Sequence, residues 1–136
     1  MYDHVLVPVA FDHDNLAVGS LPAARHLLNE GGKVTLLHVL EQIPSFVEQY
    51  LPDGTADANR SAALDNLKRL ASDAGENVST AVVLGHAYRE ILEFADDNDV
   101  DCVVIASHKP GFEDFFLGST AARVVRHAKC AVHVLR

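Results

Sequence analysis

The sequence contains five short runs in which hydrophobic residues follow one another with little polar interruption, as in Cys-Val-Val-Ile-Ala at 102–106. A strand with one solvated face alternates apolar and polar residues. Continuous runs rich in β-branched residues instead indicate strands that are buried on both faces of a parallel sheet. The predicted strands are His4–Val9, Lys33–Val39, Val78–Leu84, Cys102–Ala106 and Ala131–Leu135.

Four segments between these runs carry apolar residues at helical spacing, for example Leu64, Leu67 and Leu70. The pair Gly31-Gly32 is predicted to stop the first helix, and Gly75 the second. Helices that alternate with buried strands predict right-handed βαβ units, so we interpret residues 1–136 as one doubly wound, Rossmann-like α/β domain. The predicted helices are Leu16–Leu28, Ala58–Ala74, Tyr88–Asp97 and Ser119–His127.

The chain is acidic, with 11 Lys and Arg against 19 Asp and Glu and a net charge of −8. Nucleic-acid binding depends on Lys and Arg side chains that neutralise phosphates, so it is not expected here. The apolar runs are shorter than the ~20 residues that cross a bilayer, and the first lacks the features of a signal peptide, so we expect a cytoplasmic protein without a membrane anchor. Cys102 and Cys130 form no Cys-x-x-Cys pair and are expected to be free, buried thiols.

One predicted connection is much longer than the others. It runs from Glu41 to Asp57 and combines Pro44, Pro52 and Gly54 with several apolar residues. A connection of this length in a compact domain is often functional, so a lid is one interpretation. The other is a surface excursion whose aromatic residues pack on a neighbouring helix or on a second subunit.

The carboxyl ends of two strands predict where a ligand would bind. In a doubly wound sheet, ligands bind where the strand order reverses, and the first and fourth strands usually flank that point. Residues 10–14 and 107–111 follow these strands, and Gly118-Ser119-Thr120 then opens the last predicted helix. A glycine permits close approach of a ligand, and the free N–H groups of a first helical turn attract an anion. An ordinary Ser or Thr N-cap is the alternative interpretation of this segment.

Several kinds of chemistry are disfavoured. The sequence contains neither Gly-x-x-x-x-Gly-Lys-Ser/Thr nor Gly-x-Gly-x-x-Gly, which argues against a P-loop NTPase and a dinucleotide-dependent dehydrogenase. No nucleophile is paired with an activating base, so no catalytic residue is predicted. His13, His38, His86 and His108 lie near strand ends or in the loops that follow, but their spacing shows no metal-ligand geometry and no metal site is predicted.

Taken in order, five segments of the chain resemble the universal stress protein family. The closing segment, residues 117–134, is the most specific of them, and the resemblance covers essentially the full chain. It implies a five-stranded parallel sheet with four helices, a homodimer that forms through the last strand, Ala131–Leu135, and ATP binding as in many family members. The five segments are Val5–Val9, Thr35–Val39, Gly85–Ile91, Asp101–His108 and Leu117–Val134.

The resemblance also implies which residues would contact a nucleotide. Ala10 occupies a position that is often acidic in the family, and Asp12 is the nearest substitute. Asp12 and Asp14 are in addition candidates for a nucleotide-bound Mg²⁺, with a solvated acidic loop as the alternative. The remaining assignments are Pro8, Val9 and Val39 at the adenine end, Ala106, Ser107 and His108 along the ribose and phosphates, and Gly118, Ser119 and Thr120 around the phosphates.

The chain departs from the motif of the ATP-binding members, which is Gly-x-x-Gly-x9-Gly-Ser/Thr. Ala106 and Lys109 replace the first two glycines, and the spacer before Gly118 has eight residues. Lys109 would replace a backbone contact with a positive charge. We therefore interpret the chain as an ATP-binding stress-response or signalling protein without fast catalysis. A nucleotide-free dimeric interaction module, a slow metal-assisted ATP hydrolase and self-phosphorylation at Ser119 or Thr120 are the alternatives.

Overall fold

A computed structural model of the chain describes residues 1–10, 16–107 and 117–136, with the backbone alone at residues 16–18. Strands and helices alternate along it almost throughout. The strands are β1 (Tyr2–Pro8), β2 (Leu28–Leu40), β3 (Val78–Leu84), β4 (Cys102–Ala106) and β5 (Ala131–Leu135). The helices are α1 (Leu16–Leu27), α2 (Ser45–Glu48), α3 (Thr55–Ala74), α4 (Ala87–Asp97) and α5 (Ser119–His127).

The five strands form one parallel sheet in the order β3-β2-β1-β4-β5. The chain winds outwards from β1 to β3 on one side and then crosses back to β4 and β5 on the other. The order therefore reverses between β1 and β4, and the predicted doubly wound, Rossmann-like fold is confirmed. One helix more than predicted is present, because the four-residue α2 forms inside the long connection.

Both faces of the sheet are buried, as the continuous apolar runs predict. Along β1, Val5 and Val7 point to one face and pack with Leu67 of α3, whereas Leu6 points to the other face and packs with Val124 of α5. All five of these side chains are fully buried. Burial from two sides explains why the central strands carry no polar alternation. Among the helices of the described residues, none is both long and apolar enough to cross a bilayer.

The double glycine does not act as the predicted helix stop. Helix α1 ends at Leu27, and Gly31-Gly32 lies inside β2, which begins at Leu28 and not at Lys33. The pairing with β1 changes register here, because Tyr2 lies opposite Leu28 while His4 lies opposite Lys33. Gly31 has φ of 79°, a left-handed conformation that glycine adopts without a steric cost. The glycines therefore accommodate extra residues in a bulged strand.

A polar cluster ties the amino ends of the strands together. His4 is 6% exposed, its Nδ1 lies 3.0 Å from the carbonyl oxygen of Asn98, and its Nε2 lies 2.8 Å from the Thr35 hydroxyl. Since a carbonyl only accepts, Nδ1 carries the hydrogen of that bond. Asp101 completes the cluster, because its carboxylate accepts the backbone N–H groups of Asp3 and His4 at 2.9 Å each. These bonds hold the start of β1 beside the start of β4.

Replacing Asp101 with asparagine is expected to lower the free energy of unfolding at pH 7 by about 1 kcal/mol, because a charged acceptor is lost. Burial, the largest single influence, raises the pKa of Asp101, but the backbone N–H donors and the nearby His4 together hold it below the ordinary 3.8. A lowered native pKa stabilises the fold above the unfolded-state pKa, and this contribution disappears as the pH falls through the native pKa. Urea unfolding should therefore separate Asp101→Asn from the parent at pH 7 and much less at pH 3. An equal difference at both pH values would contradict the charged role.

Candidate functional site

A cavity of about 550 Å³ opens at the carboxyl edge of the sheet, where the strand order reverses between β1 and β4. Its walls come from the ends of β1, β2 and β4 and from the first turns of α4 and α5. The residues that line it are Pro8, Val9, Ala10, Leu37, His38, Val39, Leu40, Glu41, Ala87, Ile91, Ile105, Ala106, Ser107, Gly118, Ser119, Thr120 and Ala121. Volume and position are typical of a site for a small organic ligand.

The structure brings most of the predicted site residues together around this cavity. Eight of the eleven line it, namely Pro8, Val9, Val39, Ala106, Ser107, Gly118, Ser119 and Thr120. They come from segments that are far apart in the sequence, and only the crossover between the two halves of the sheet places them side by side. The other three predicted residues, Asp12, His108 and Lys109, lie outside the described residues.

Hydrogen bonds to β2 hold the end of β1 in place. The strand ends at Pro8 and not at Val9 as predicted, yet the Val9 N–H still donates to the Leu37 carbonyl oxygen at 2.8 Å. The carbonyl oxygen of Val9 accepts a 2.7 Å hydrogen bond from Nδ1 of His38. One of the strand-end histidines therefore positions the backbone at the cavity wall. Of the others, His86 occupies the N-cap position of α4 without a side-chain capping hydrogen bond, while His13 and His108 lie outside the described residues.

The start of α5 is fastened to the end of β4. The Ser107 N–H donates to the Leu135 carbonyl oxygen at 2.7 Å, and the Ser107 carbonyl oxygen accepts the Gly118 N–H at 2.5 Å. Gly118 is the N-cap residue of α5, so the predicted alternative of a Ser or Thr side-chain cap is not observed. Ser119 and Thr120 are the first two residues of the helix, and both line the cavity. First-turn N–H groups lack partners within a helix, and they lie here at the cavity wall.

The lining of the cavity combines an apolar group and a polar group of residues. Val39 and Leu40 of β2 and Ile91 of α4 are apolar, and Glu41 directly follows β2. Ser107, Ser119 and Thr120 are polar, and the last two lie at the positive end of the α5 dipole. Leu40, Glu41 and Ile91 also line the cavity but are not among the predicted site residues. A residue directly after a buried strand was the available signal for Glu41, but that position was assigned to the long connection.

The long connection leaves two aromatic side chains on the surface. Phe46 of α2 is 70% exposed and Tyr50 is 82% exposed, so neither is buried against a helix in the described part of the chain. The connection borders a second, smaller cavity of about 250 Å³ between Ile43, Leu51 and the start of α3. Of the two predicted interpretations, packing on a helix of the same chain is therefore not observed for these two residues.

The described residues include two free cysteines, of which Cys102 is buried and Cys130 is only partly buried. Burial is the main cause that raises the pKa of both thiols, that of Cys102 to about 11. Both thiols therefore stay protonated at neutral pH, and a protonated thiol is a poor nucleophile. Residues 1–10, 16–107 and 117–136 contain no group of three or more His, Cys, Asp or Glu side chains that could hold a metal ion.

The sheet defines a doubly wound α/β protein with a cavity at the point where the strand order reverses. The sequence profile of the universal stress protein family matches residues 1–136, and the chain belongs to this family. Universal stress protein G of Salmonella typhimurium is 30% identical over 145 residues, which cover 100% of both chains.

Two solved structures show how well the fold agrees. Universal stress protein UspA from Lactobacillus plantarum superposes with a TM-score of 0.80 at 23% identity, over 99% of this chain and 98% of that one. The universal stress protein from Archaeoglobus fulgidus in complex with dAMP superposes with a TM-score of 0.64 at 21% identity, over 99% and 98% of the two chains. At these identities the agreement establishes the fold.

Proposed function

We propose that the protein binds ATP in the cavity at the end of β1 and β4 and acts in a stress response as a nucleotide-dependent signalling protein without fast turnover. The observation that carries the proposal is the start of α5. Gly118, Ser119 and Thr120 present a helix N-terminus and two hydroxyl groups at the wall of a nucleotide-sized cavity. A complex of the related Archaeoglobus fulgidus protein holds dAMP, which supports an adenine nucleotide as the ligand.

The apolar and polar groups of lining residues suggest an orientation for the nucleotide. An adenine ring needs an apolar slot with a few polar groups at its edge, which Val39, Leu40 and Ile91 supply together with Glu41. Phosphates need hydrogen-bond donors and a positive potential, which the start of α5 supplies. The Glu41 carboxylate would repel phosphates, so it favours placing them at the α5 end. A nucleotide-bound Mg²⁺ remains part of the proposal through Asp12.

The alternative of a nucleotide-free interaction module draws on one feature of the cavity. Ala106, where ATP-binding members carry a glycine, lines the wall beside Ser107 and places a methyl group there. Compared with glycine, this methyl group leaves less space for a ligand along the end of β4. A ligand would therefore have to rely more on the α5 end than it does in members with the complete motif.

Purified protein is expected to bind ATP with a stoichiometry of one per chain, because the strand order of the described sheet reverses at a single point and the cavity lies there. Mass spectrometry of the small molecules released by heat denaturation should show an adenine nucleotide, and calorimetry should show binding of added ATP. GTP is the matched control, since it keeps the triphosphate and changes only the base. A protein that releases no nucleotide and gives no heat with ATP would favour the interaction module.

A further inference from the structure

We infer that Arg123 is a phosphate-binding residue of this cavity, held on the ring of Tyr88 next to the site, and that it makes the site prefer nucleotides with a polyphosphate chain. This inference rests on the proposed function. It concerns a side chain of α5 that does not line the cavity itself.

A contact between α4 and α5 carries the inference. The guanidinium carbon of Arg123 lies 4.8 Å from the centroid of the Tyr88 ring, within the range of a cation–π interaction. The guanidinium carbon of Arg89 lies 6.0 Å from the same centroid, at the limit of that range. Tyr88 is partly buried between the helices, whereas both arginines are exposed. Two cations therefore share one aromatic ring, and Arg123 has the closer contact.

Helix geometry places this contact beside the cavity. Arg123 follows Ser119 by four residues and Thr120 by three, so the three side chains are neighbours on one side of α5. Side chains of a helix lean towards its N-terminus, which directs Arg123 back towards the two cavity-lining residues. Tyr88 stands next to Ala87 and one turn before Ile91, and both of these line the cavity. The guanidinium thus lies in the groove between the two helices that wall the site.

A polyphosphate bound in the cavity would need a positively charged side chain near the start of α5. Among the described lining residues, Glu41 is the one side chain with a full charge, and it is negative. The chain as a whole carries −8, whereas residues 117–136 contain Arg123, Arg126, Lys129 and Arg136 and no Asp or Glu. A triphosphate carries several negative charges, which backbone N–H groups neutralise only in part. Side chains therefore have to add positive charge at the α5 end, and among the described residues of α5 Arg123 is the cation within a turn of Ser119. Lys109, the cation expected in the preceding loop, lies outside the described residues.

The contact with Tyr88 is weak enough for Arg123 to exchange it for a bound phosphate. A cation–π interaction at an exposed site is weaker than a bidentate guanidinium–phosphate pair. A bound polyphosphate would therefore draw Arg123 away from the ring, while adenosine or a monophosphate would leave it there. Before the phosphate binds, Tyr88 limits the rotamers of Arg123 and so keeps the guanidinium near the start of α5.

Calorimetry on Arg123→Gln tests the inference, because glutamine keeps a polar side chain and removes the charge. ATP affinity is expected to fall about tenfold or more, and adenosine affinity to stay within twofold of the parent. Arg126→Gln is the matched control, because it removes the same charge from the last turn of the same helix and should leave ATP affinity within twofold. Arg123→Lys should restore part of the loss, since it returns the charge without the planar group.

The Tyr88 ring supplies a second readout that does not depend on affinity. Its ring proton resonances should shift when ATP is added and move little when adenosine is added. A parent that binds ATP while Arg123→Gln binds it equally well, or a loss of ATP affinity matched by an equal loss for adenosine, would overturn the role of Arg123 and leave ATP binding intact. A parent that binds neither ligand would overturn the proposed function itself.

Discussion

Replacing Gly118 with aspartate is expected to abolish ATP binding, with a loss of at least a hundredfold in affinity. Gly118 is the N-cap of α5 and lines the cavity, so the new carboxylate would stand where the proposed phosphates bind. A carboxylate at an N-cap accepts hydrogen bonds from the first-turn N–H groups and so competes with the ligand for the same donors. Repulsion between like charges adds to the loss. Aspartate is itself a good N-cap, so the helix should persist.

A second glycine offers a matched control for this change. Gly54 is the N-cap of α3, lies outside the lining of the cavity at the strand reversal, and has open space where a side chain would begin. Its φ of 82° is left-handed, so aspartate is strained there and the fold of this control must be measured as well. Gly54→Asp adds the same charge to a helix N-terminus, so it should leave ATP affinity unchanged. Titration calorimetry and circular dichroism on both variants separate loss of the site from loss of the fold. ATP binding by a folded Gly118→Asp variant at the affinity of the parent would remove the phosphate site from α5.

Several elements were predicted to the residue, and the sequence marks where some of them begin. Strands β3, β4 and β5 and helix α5 have the predicted bounds. Gly118 precedes α5, and Cys102–Ala106 is a run of small and β-branched residues with an acidic residue in front. At both places the residue type changes where the backbone conformation changes, so the local sequence is sufficient to predict where the element begins.

The first half of the chain shows where local sequence is insufficient. Gly31-Gly32 is compatible with a helix stop and with a strand bulge, and the choice depends on β1 pairing alongside. Helix α2 has four residues and no buried side chain, so it produces no periodic pattern. The bulge depends on tertiary pairing, and α2 is a single turn. Neither produces a hydrophobic periodicity from which it could be predicted.

The cavity shows a similar division. The residues expected from strand ends and from Gly118-Ser119-Thr120 do meet, because the sheet order brings β1, β4 and α5 to one edge. Ile91 and Tyr88 were predicted only as part of a helix. Their closeness to the site follows from how α4 packs beside α5, which depends on side-chain contacts across the sheet. The parts of the site that come from packing between helices are therefore the ones that sequence alone did not single out.

The last strand is expected to hold two copies of the chain together, and we propose a homodimer through β5. Among the described strands, β5 is at the edge of the sheet and pairs with β4 on one side. Val132, Val134 and Leu135 remain partly exposed in the single chain. An apolar edge strand with unpaired N–H and C=O groups pairs with another strand or aggregates unless it is covered. Pairing of β5 with its copy would satisfy these groups and bury the valines.

The direction of the backbone groups shows where to break this interface. The carbonyl oxygen of Leu135 accepts a hydrogen bond from Ser107, so Leu135 faces β4, and alternation along the strand turns the N–H and C=O of Val134 and Val132 to the open edge. Val134→Pro should remove one outward donor and keep the bonds to β4. The double change Val132→Lys and Val134→Lys should act more strongly, because charges would enter the interface. Both variants are expected to shift the protein from dimer to monomer, or to insoluble protein for the lysine pair.

Sedimentation of each variant at a protein concentration of about 10 µM measures its oligomeric state. This concentration lies well above the dissociation constant of a stable homodimer. Val125→Lys is the matched control, because Val125 is 45% exposed and belongs to α5, not to β5. It should remain a dimer. Val134→Pro distinguishes loss of pairing from loss of folding, since its circular dichroism should match that of the parent. A parent that sediments as a monomer would contradict the interface, and so would a folded Val134→Pro that stays dimeric, because an edge strand without its outward donor has lost part of the ladder it needs.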